Sequence, residues 1–286
     1  MEQIFSSLHT HTIFDDGKDD VETMCRTACE KGLVAIGFSA HAPIKMESDW
    51  HLQAVRMEEY LAAVHAARRR WEGKIDVYLG FEVDYIKGQR SPLDRDIRDA
   101  NPDYTIGSVH YLLPPQGYPF TVDAPADELK IGVTECYGSD GEAMMHAYWD
   151  AVAQMLAIGG FDIIGHLDLV KKHNRSNCWF DMESDAYRQR LEEIVRAVAS
   201  GGFVLEVNTG ALNRGQLTET YPSLPALRLL RQLNVPVMIS ADAHCAAHLD
   251  GHYREACQIL LDAGYTNHVI FQGRKDEKAV WRELEL

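Results

Sequence analysis

The chain has 286 residues, of which 46% are hydrophobic and 25% are charged, a composition typical of a soluble globular protein. Its formal net charge of −15 argues against a surface that binds nucleic acid through a basic face, so no nucleic-acid partner is expected. Because no apolar run reaches the roughly 18 residues of a membrane helix, no membrane partner is expected either.

The N-terminal segment and the cysteines favour a cytoplasmic location. Residues 1–12, MEQIFSSLHTHT, show no basic region followed by a long apolar one, so no secretory signal is expected. The six cysteines form no CxxC pair and are too sparse for a disulfide scaffold. We therefore expect a protein of the reducing cytoplasm. The oligomeric state has no signature in the sequence.

Short apolar runs alternate with longer amphipathic stretches along the chain. The runs, in order, are IFSSLH, VAIGFSAH, DVYLGFEV, YTIGSVH, FDIIGH, FVLEVN and VPVMISADAH, with HVIF near the end. The amphipathic stretches span residues 19–31, 53–72, 140–158, 185–199, 224–233 and 253–263. Strands that alternate with helices over so many units predict a mostly parallel sheet with crossover helices.

Two α/β architectures are compatible with this alternation. A closed (β/α) barrel of seven or eight strands fits both the length and the number of units, and no linker or low-complexity segment divides the chain into domains. An open doubly wound sheet is the alternative. Its nucleotide-binding version is not supported, since neither a GxGxxG nor a P-loop pattern occurs.

Most of the predicted strands end on a histidine or a carboxylate. Nine residues lie at these ends or in the turn that follows the first of them: His9, His11, Asp16, His41, Glu82, His110, His166, Asp242 and His244. Taken alone, a His-x-His pair is more often incidental, and Asp16 before glycine is an ordinary turn residue. Because the carboxyl ends of barrel strands meet on one face, the joint pattern predicts a metal site there.

The ligand types indicate which metals are expected. Nitrogen and oxygen ligands without a thiolate favour Zn²⁺, Fe or Mn²⁺. A single catalytic zinc needs only about three protein ligands, so nine candidates predict two to three divalent ions. The positive charge of three such ions would exceed the negative charge of Asp16, Glu82 and Asp242 by about three units. This excess of positive charge would attract a small phosphate ester even to an acidic protein. Histidines expected on or beside helices, His51 among them, are placed outside this site.

Six motifs carry a resemblance to a known family: HTH…DDG, GFSAHAP, GFEVD, GSVHY, GHLDL and SADAH. In this order they resemble the PHP (polymerase and histidinol phosphatase) superfamily, and within it the monofunctional histidinol-phosphate phosphatases. The likeness runs from about residue 5 to residue 245. It implies a distorted, TIM-like (β/α)7 barrel, with residues 1–286 as one domain. It also implies metal-dependent hydrolysis of a small phosphate ester, L-histidinol phosphate.

The resemblance further implies how the ligands divide among three ions. One ion would be bound by His9, His11, Glu82 and Asp242; Glu82 would bridge to a second ion bound by His110 and His166; Asp16, His41 and His244 would hold the third. An aspartate at position 16 is common in the histidinol phosphatases, whereas many superfamily members have histidine there. Asp242 and His244 are predicted to be catalytic as well as metal-binding.

The predicted reaction uses a hydroxide that bridges two ions and attacks phosphorus in line with the departing alkoxide, so no covalent phospho-enzyme is needed. The predicted phosphate ligands follow FDIIGH and FVLEVN and are Lys171, Arg175, Asn208 and Arg214. Arg175 and Arg214 are preferred because a guanidinium binds phosphate bidentately, although each cation is also compatible with a solvated loop. Residues 111–139 follow a ligand-bearing strand and are predicted to form a substrate lid.

Other functions are compatible with parts of this pattern. A PHP phosphoesterase could act instead on nucleotides or sugar phosphates, although the charge of −15 disfavours an oligonucleotide. A non-catalytic metal-binding or polymerase-associated module would be expected to lack several ligands, and all nine are present. Amidohydrolases also begin with His-x-His but typically use a bridging lysine, and Glu82 occupies that role in this chain.

Overall fold

A parallel sheet of seven strands forms the centre of the computed structural model, which describes residues 4–286. Across the sheet, the strands are β1 (Ser6–Ser7), β2 (Ala35–His41), β3 (Asp76–Asp84), β4 (Tyr104–Ser108), β7 (Ile163–Ile164), β8 (Val204–Asn208) and β9 (Val237–Ser240). Between β4 and β7 the chain forms a short antiparallel hairpin of β5 (Tyr111–Leu112) and β6 (Phe120–Thr121).

The first and last strands of the sheet meet through the residues that directly follow them. Thr10 and Ala243 form a parallel bridge, in which His11 N donates to Ala243 O at 2.9 Å and Ala243 N donates to His9 O at 3.0 Å. We call this contact the seam. It makes the sheet a nearly closed, distorted (β/α)7 barrel, which confirms the predicted fold and excludes the open doubly wound sheet.

Helices surround the barrel: α1 (Val21–Glu30), α2 (Met57–Trp71), α3 (Arg95–Asp99), α4 (Ala126–Tyr137), α5 (Gly141–Ile158), α6 (Asp185–Gly201), α7 (Gly210–Asn213), α8 (Leu224–Gln232) and α9 (Tyr253–Ala263). The six predicted amphipathic stretches correspond to α1, α2, α5, α6, α8 and α9. Side-chain caps begin several of them; Asp20 accepts from Thr23 N at 2.7 Å, and Asp140 accepts from Ala143 N at 2.9 Å. Among residues 4–286, no helix is long and apolar enough to cross a membrane.

The C-terminal HVIF run does not add an eighth barrel strand. It lies in β10 (Asn267–Lys275), which pairs in antiparallel fashion with β11 (Lys278–Glu285) outside the barrel sheet. Phe271 on β10 is buried and its ring lies 5.7 Å from that of Tyr104, inside the barrel. Arg274 binds Asp162 at 2.9 Å. This hairpin therefore covers the end of the barrel at which the strands begin.

Side chains inside the barrel change from apolar at one end to polar at the other. The apolar end is a cluster of Leu8, Tyr104, Ile106, Ile163, Val204, Met238 and Phe271. Because side chains repeat on every second residue of a strand, Ser108 continues the face that Tyr104 and Ile106 begin on β4. Glu82, which accepts a hydrogen bond from Ser108, and Glu206 are both buried toward the carboxyl ends of the strands. The barrel thus holds its ionisable groups at the end where the predicted site lies.

The burial of His268 on β10 makes the stability of the fold depend on pH. The side chain is 3% exposed and its Nδ1 has no hydrogen-bond partner, and this burial lowers its pKa to about 4. The unfolded chain therefore takes up a proton at a higher pH than the folded protein does. The contribution of His268 to stability falls as the pH drops from about 6.5 toward about 4, by about 1.4 kcal/mol per pH unit.

We expect the metal-free wild-type protein to lose about 2 kcal/mol more unfolding free energy between pH 7.5 and pH 5 than the His268→Phe variant does. Urea unfolding of both proteins at the two pH values, with chelator present, measures this difference. All other titrating groups cancel in the comparison. An equal loss in the two proteins would show that His268 is protonated in the folded state.

Candidate metal centre

The carboxyl ends of the strands bring all nine predicted ligands around one point. His41 ends β2 and pairs in register with Glu82 on β3. Four more ligands flank the two residues of the seam: His9 and His11 on either side of Thr10, and Asp242 and His244 on either side of Ala243. His110 and His166 each lie two residues beyond a strand end. Seven of the nine are buried; Asp16 is exposed and His244 is partly exposed.

Glu82 lies at the centre of this cluster, and its side chain is 1% exposed. Ser108 Oγ donates to its Oε1 at 2.6 Å. Its two oxygens are surrounded by ring nitrogens: Oε1 lies 2.9 Å from His166 Nε2 and 3.7 Å from His110 Nε2, and Oε2 lies 3.0 Å from His41 Nδ1, 3.1 Å from His9 Nε2 and 3.6 Å from His11 Nε2. One carboxylate is therefore shared by five imidazoles.

The charges in the cluster stabilise one another. Burial raises the pKa of Glu82, but the imidazoles of His9, His41 and His110 lower it by more, so this pKa stays well below its usual value. Burial lowers the pKa of His110, but the carboxylates of Asp84 and Glu82 raise it by more, so that this pKa is about 10. The cluster thus favours positive charge around Glu82. Protons on the imidazoles supply this charge, and metal ions bound to the same nitrogens could replace those protons.

Unpaired ring nitrogens provide a test of whether metal ions fit these residues. His9 Nε2, His11 Nε2 and His41 Nδ1 are all buried, face Glu82 and have no hydrogen-bond partner. A buried polar atom without a partner costs about 1–3 kcal/mol, and a metal ion removes that cost. Imidazole nitrogens and carboxylate oxygens are also the usual protein ligands of zinc. The residues present therefore fit a set of divalent ions.

The ligand atoms fall into four overlapping groups, and within each group they lie within 4.8 Å of one another. The groups are His9, His11 and Glu82; Glu82, His110 and His166; His11, Asp16, His41 and His244; and His41, Asp84 and His110. Asp242 lies beside the first group, with Oδ1 3.4 Å from His11 Nε2. The first three groups overlap with the ligand sets that the resemblance implies for three ions, although the first lacks Asp242 and the third also contains His11. The sequence did not predict the fourth group.

Three of the ring nitrogens that point away from Glu82 each contact a second carboxylate. The pairs are His9 Nδ1 with Glu206 Oε2 at 2.5 Å, His11 Nδ1 with Asp15 Oδ2 at 2.7 Å, and His110 Nδ1 with Asp84 Oδ1 at 2.8 Å. Such contacts fix the orientation of a metal-binding ring and raise its basicity. Sequence reasoning assigned none of these carboxylates to the site. The strand period of two could have indicated Asp84, which shares a face with Glu82 on β3.

Asp15 connects the loop that follows the seam with the end of β2. Its Oδ2 accepts from His41 N at 3.0 Å as well as contacting His11, and its Oδ1 accepts from Thr12 N at 2.8 Å. The loop then turns back so closely that a Cβ at Gly17 would lie 2.3 Å from Thr12 N. Only glycine fits there without a shift of the backbone. Asp15 thus orients a ligand on each side of the β1–β2 junction.

A cavity of about 530 Å³ gives access to the cluster. Of the four predicted phosphate ligands, only Arg214 lines it. Its Nη2 lies 3.1 Å from Asp242 Oδ2, and its Nη1 lies 3.3 Å from His244 Nδ1. The guanidinium is therefore adjacent to two predicted metal ligands and still faces the cavity.

The structure does not bring the other three predicted phosphate ligands to this cavity. Arg175 is exposed and donates to the carbonyl of Gln216. Lys171 is buried, and its Nζ donates to Thr220 O at 2.8 Å. Asn208 is buried too, and its Nδ2 donates to an oxygen of the Glu206 carboxylate at 2.7 Å. Asn208 therefore helps to hold Glu206 and does not itself line the cavity.

Residues 111–139, the predicted lid, contribute to the wall of the cavity. Asp123 and Glu128 from this segment line it. Lys172 also lines it, and its Nζ donates to Asp123 O at 2.8 Å. Trp50, from the loop that follows β2, lines the cavity as well, and its ring lies 4.7 Å from that of His41. The wall combines carboxylates, a cation and an aromatic ring.

A parallel α/β barrel whose strand ends converge on histidines and carboxylates defines a class of metal-binding barrel proteins. Comparison with known proteins narrows this class. The family model of the PHP domain matches residues 7–210, which is more than half of the chain. The protein therefore belongs to the PHP domain family.

Similar proteins bear the names of histidinol phosphatases. The chain is 27% identical over 252 residues to a "Probable histidinol-phosphatase" of Deinococcus radiodurans. The aligned region covers 87% of this chain and 89% of that protein. It is 22% identical over 258 residues to a histidinol-phosphatase of Bacillus subtilis, with coverage of 86% and 95%. These similarities confirm the predicted resemblance.

Solved structures share the fold. A candidate histidinol phosphatase of Listeria monocytogenes superposes with a TM-score of 0.77 and 23% identity, covering 87% of this chain and 99% of that chain. Histidinol phosphate phosphatase of Lactococcus lactis, solved with zinc, L-histidinol and phosphate, superposes with a TM-score of 0.67 and 18% identity, covering 95% and 99%. At these sequence identities, the structural similarity supports the barrel fold alone.

We expect Asp15→Asn to weaken metal binding by about 10- to 100-fold, because the amide is a poorer acceptor for the His11 ring and removes a charge next to it. Zinc content after dialysis against graded zinc buffers measures the effect. Asp99→Asn, an exposed position on α3, is the matched control. Wild-type zinc affinity in Asp15→Asn would contradict the orienting role of Asp15.

Proposed function

We propose that this PHP protein hydrolyses phosphate monoesters, with L-histidinol phosphate as substrate, at a centre of two to three divalent ions of zinc, iron or manganese. The observation that carries the proposal is the buried Glu82 carboxylate, which faces five imidazoles and can bridge neighbouring ions. The names of the relatives, and the L-histidinol and phosphate bound to the Lactococcus lactis protein, support the choice of substrate.

The proposed ligand sets follow the groups of ligand atoms. The first ion would be held by His9, His11, Glu82 and Asp242, the second by Glu82, His110 and His166, and the third by Asp16, His41 and His244. When bound, such ions supply an acidified water molecule as nucleophile and neutralise charge on phosphoryl oxygens. Asp242 and His244 are proposed as catalytic because Asp242 Oδ1 lies 3.5 Å from His244 Nδ1, where the first and third groups meet.

The wall of the cavity is complementary to a substrate with an anionic end and a cationic end. Arg214 would contact the phosphate, since it is a cation that lines the cavity beside Asp242 and His244. Asp123 and Glu128 would contact the amine of L-histidinol phosphate, and Trp50 would pack against its imidazole ring. Residues 111–139 would thus contribute to specificity as part of the wall.

Rates on three substrates test the proposed function. We expect kcat/KM for L-histidinol phosphate to exceed the values for a nucleoside monophosphate and for an aryl phosphate by about 100-fold or more, because a site that pairs charged groups discriminates strongly against substrates that lack them. The metal content is measured on the same sample. Equal and low rates on all three substrates would contradict the assignment, and a preference for the nucleotide would favour a different phosphoesterase.

Removing the carboxylates of the wall tests recognition of the amine. In the double variant Asp123→Asn/Glu128→Gln, KM for L-histidinol phosphate should rise by about 10-fold or more, because a hydrogen bond to a charged group contributes about 1.5–3 kcal/mol. The aryl phosphate has no amine, so its KM should change much less. Steady-state kinetics on both substrates measure the contrast. A parallel rise in both KM values would place the two carboxylates in the general architecture of the cavity.

A further inference from the structure

His51 is the one histidine outside the nine predicted ligands that contacts the outer carboxylates of the centre within residues 4–286. It lies in the loop between β2 and α2 and is only 3% exposed. Its Nε2 lies 2.8 Å from Asp84 Oδ2, and its Nδ1 lies 2.7 Å from Ser48 Oγ. The expectation that His51 lies outside the site is therefore wrong in one respect: it reaches the site through Asp84.

The polarity of these hydrogen bonds follows from the chemistry of the groups. Ionised Asp84 can only accept, so His51 donates to it from Nε2 and His110 donates to it from Nδ1. His51 Nδ1 is then an acceptor for the Ser48 hydroxyl. The proton on His110 Nδ1 is thereby held in place, and Nε2 is the nitrogen that faces Glu82 and is left to bind a metal ion.

Asp84 is also in a position to become a ligand itself. It is fully buried and belongs to the fourth group of ligand atoms, with His41 and His110. In the structure both of its oxygens are engaged, Oδ1 by His110 and Oδ2 by His51. Without His51, Oδ2 would be a buried, charged acceptor without this partner, and a nearby metal ion would satisfy it.

We propose that His51 is a positioning residue of the metal centre, which holds Asp84 outside the metal ligands so that Asp84 orients His110. It acts on the second ion through Asp84 and His110, without contact to the substrate. The inference rests on the proposed function only in requiring that the centre binds metal ions, whatever the substrate is.

Two substitutions of His51 separate its hydrogen bond from its volume. His51→Phe keeps a ring but has no donor, and we expect it to weaken the binding of one ion by about 10- to 100-fold. His51→Gln offers an amide donor at a reach similar to that of Nε2, and its affinity should return to within a few-fold of the wild type, on the order of one neutral hydrogen bond. His65→Phe on the exposed face of α2 is the control for a histidine-to-phenylalanine change.

The measurement is zinc bound per chain in equilibrium dialysis, together with the visible absorption spectrum of the cobalt-substituted proteins. The spectrum of His51→Phe should change because Asp84 enters the coordination sphere, while those of His51→Gln and His65→Phe should match the wild type. Circular dichroism and thermal unfolding of the metal-free forms check the fold. If His51→Phe does not fold, Ser48→Ala should still weaken the same ion by about 5-fold, the equivalent of one hydrogen bond.

Three results would reject the positioning role of His51 and leave the proposed function standing. Wild-type zinc affinity and spectrum in a folded His51→Phe would reject the positioning role, and so would equal losses in His51→Phe and His51→Gln. If His51→Phe does not fold, unchanged zinc binding in Ser48→Ala would reject it too. A wild-type protein that binds no metal at all would instead reject the proposed function, and with it the positioning role, which requires a metal centre.

Discussion

A carboxylate removed from water must be surrounded by positive charge, and this requirement organises the carboxyl end of the barrel. Glu82 is buried among five imidazoles, and three of those rings are held in turn by carboxylates on their far side. Charge therefore alternates outward from the centre, from carboxylate to imidazole to carboxylate. These pairs are not independent of one another, because three of the rings each contact two acids at once.

The apolar half of the barrel allows this arrangement to exist. The strands differ in length, but their amino-terminal parts are packed around Tyr104, Phe271 and their neighbours. This packing holds their carboxyl ends together at the other end of the barrel. The C-terminal hairpin contributes to this packing without contacting the site. Binding chemistry and stability are thus divided between the two ends of one sheet, as is usual for barrels of this kind.

The sequence predicted those features that depend on regular strands. A strand end fixes the side of the sheet and the level along the barrel, so the nine predicted ligands could be assigned to one end of the barrel from six apolar runs. The loops follow no such period. Lys171 and Lys172 are neighbours, yet a short turn buries the first and directs the second to the cavity. His51 lies in the irregular segment after β2, where no sequence pattern connects it with Asp84 on β3.

The outer carboxylates were missed for a related reason. Asp15 has the appearance of a turn residue, and only the folded loop shows that it accepts hydrogen bonds from two backbone amides. Glu206 follows the strand period on β8, but its partner His9 is almost two hundred positions away in the chain. Pairing of that kind is decided by how the barrel closes, which hydrophobic patterning alone does not specify.

The seam between Thr10 and Ala243 has a consequence for the order in which the protein is made. A ribosome releases His9 and His11 more than two hundred residues before Asp242. Until β9 is made, the early histidines lack their neighbour Ala243 across the seam and the Asp242 carboxylate, and the barrel remains open beside them. The complete ligand set comes into existence in one late step, when the final strand docks. A chain interrupted before that strand has His9 and His11 but lacks Asp242 and His244.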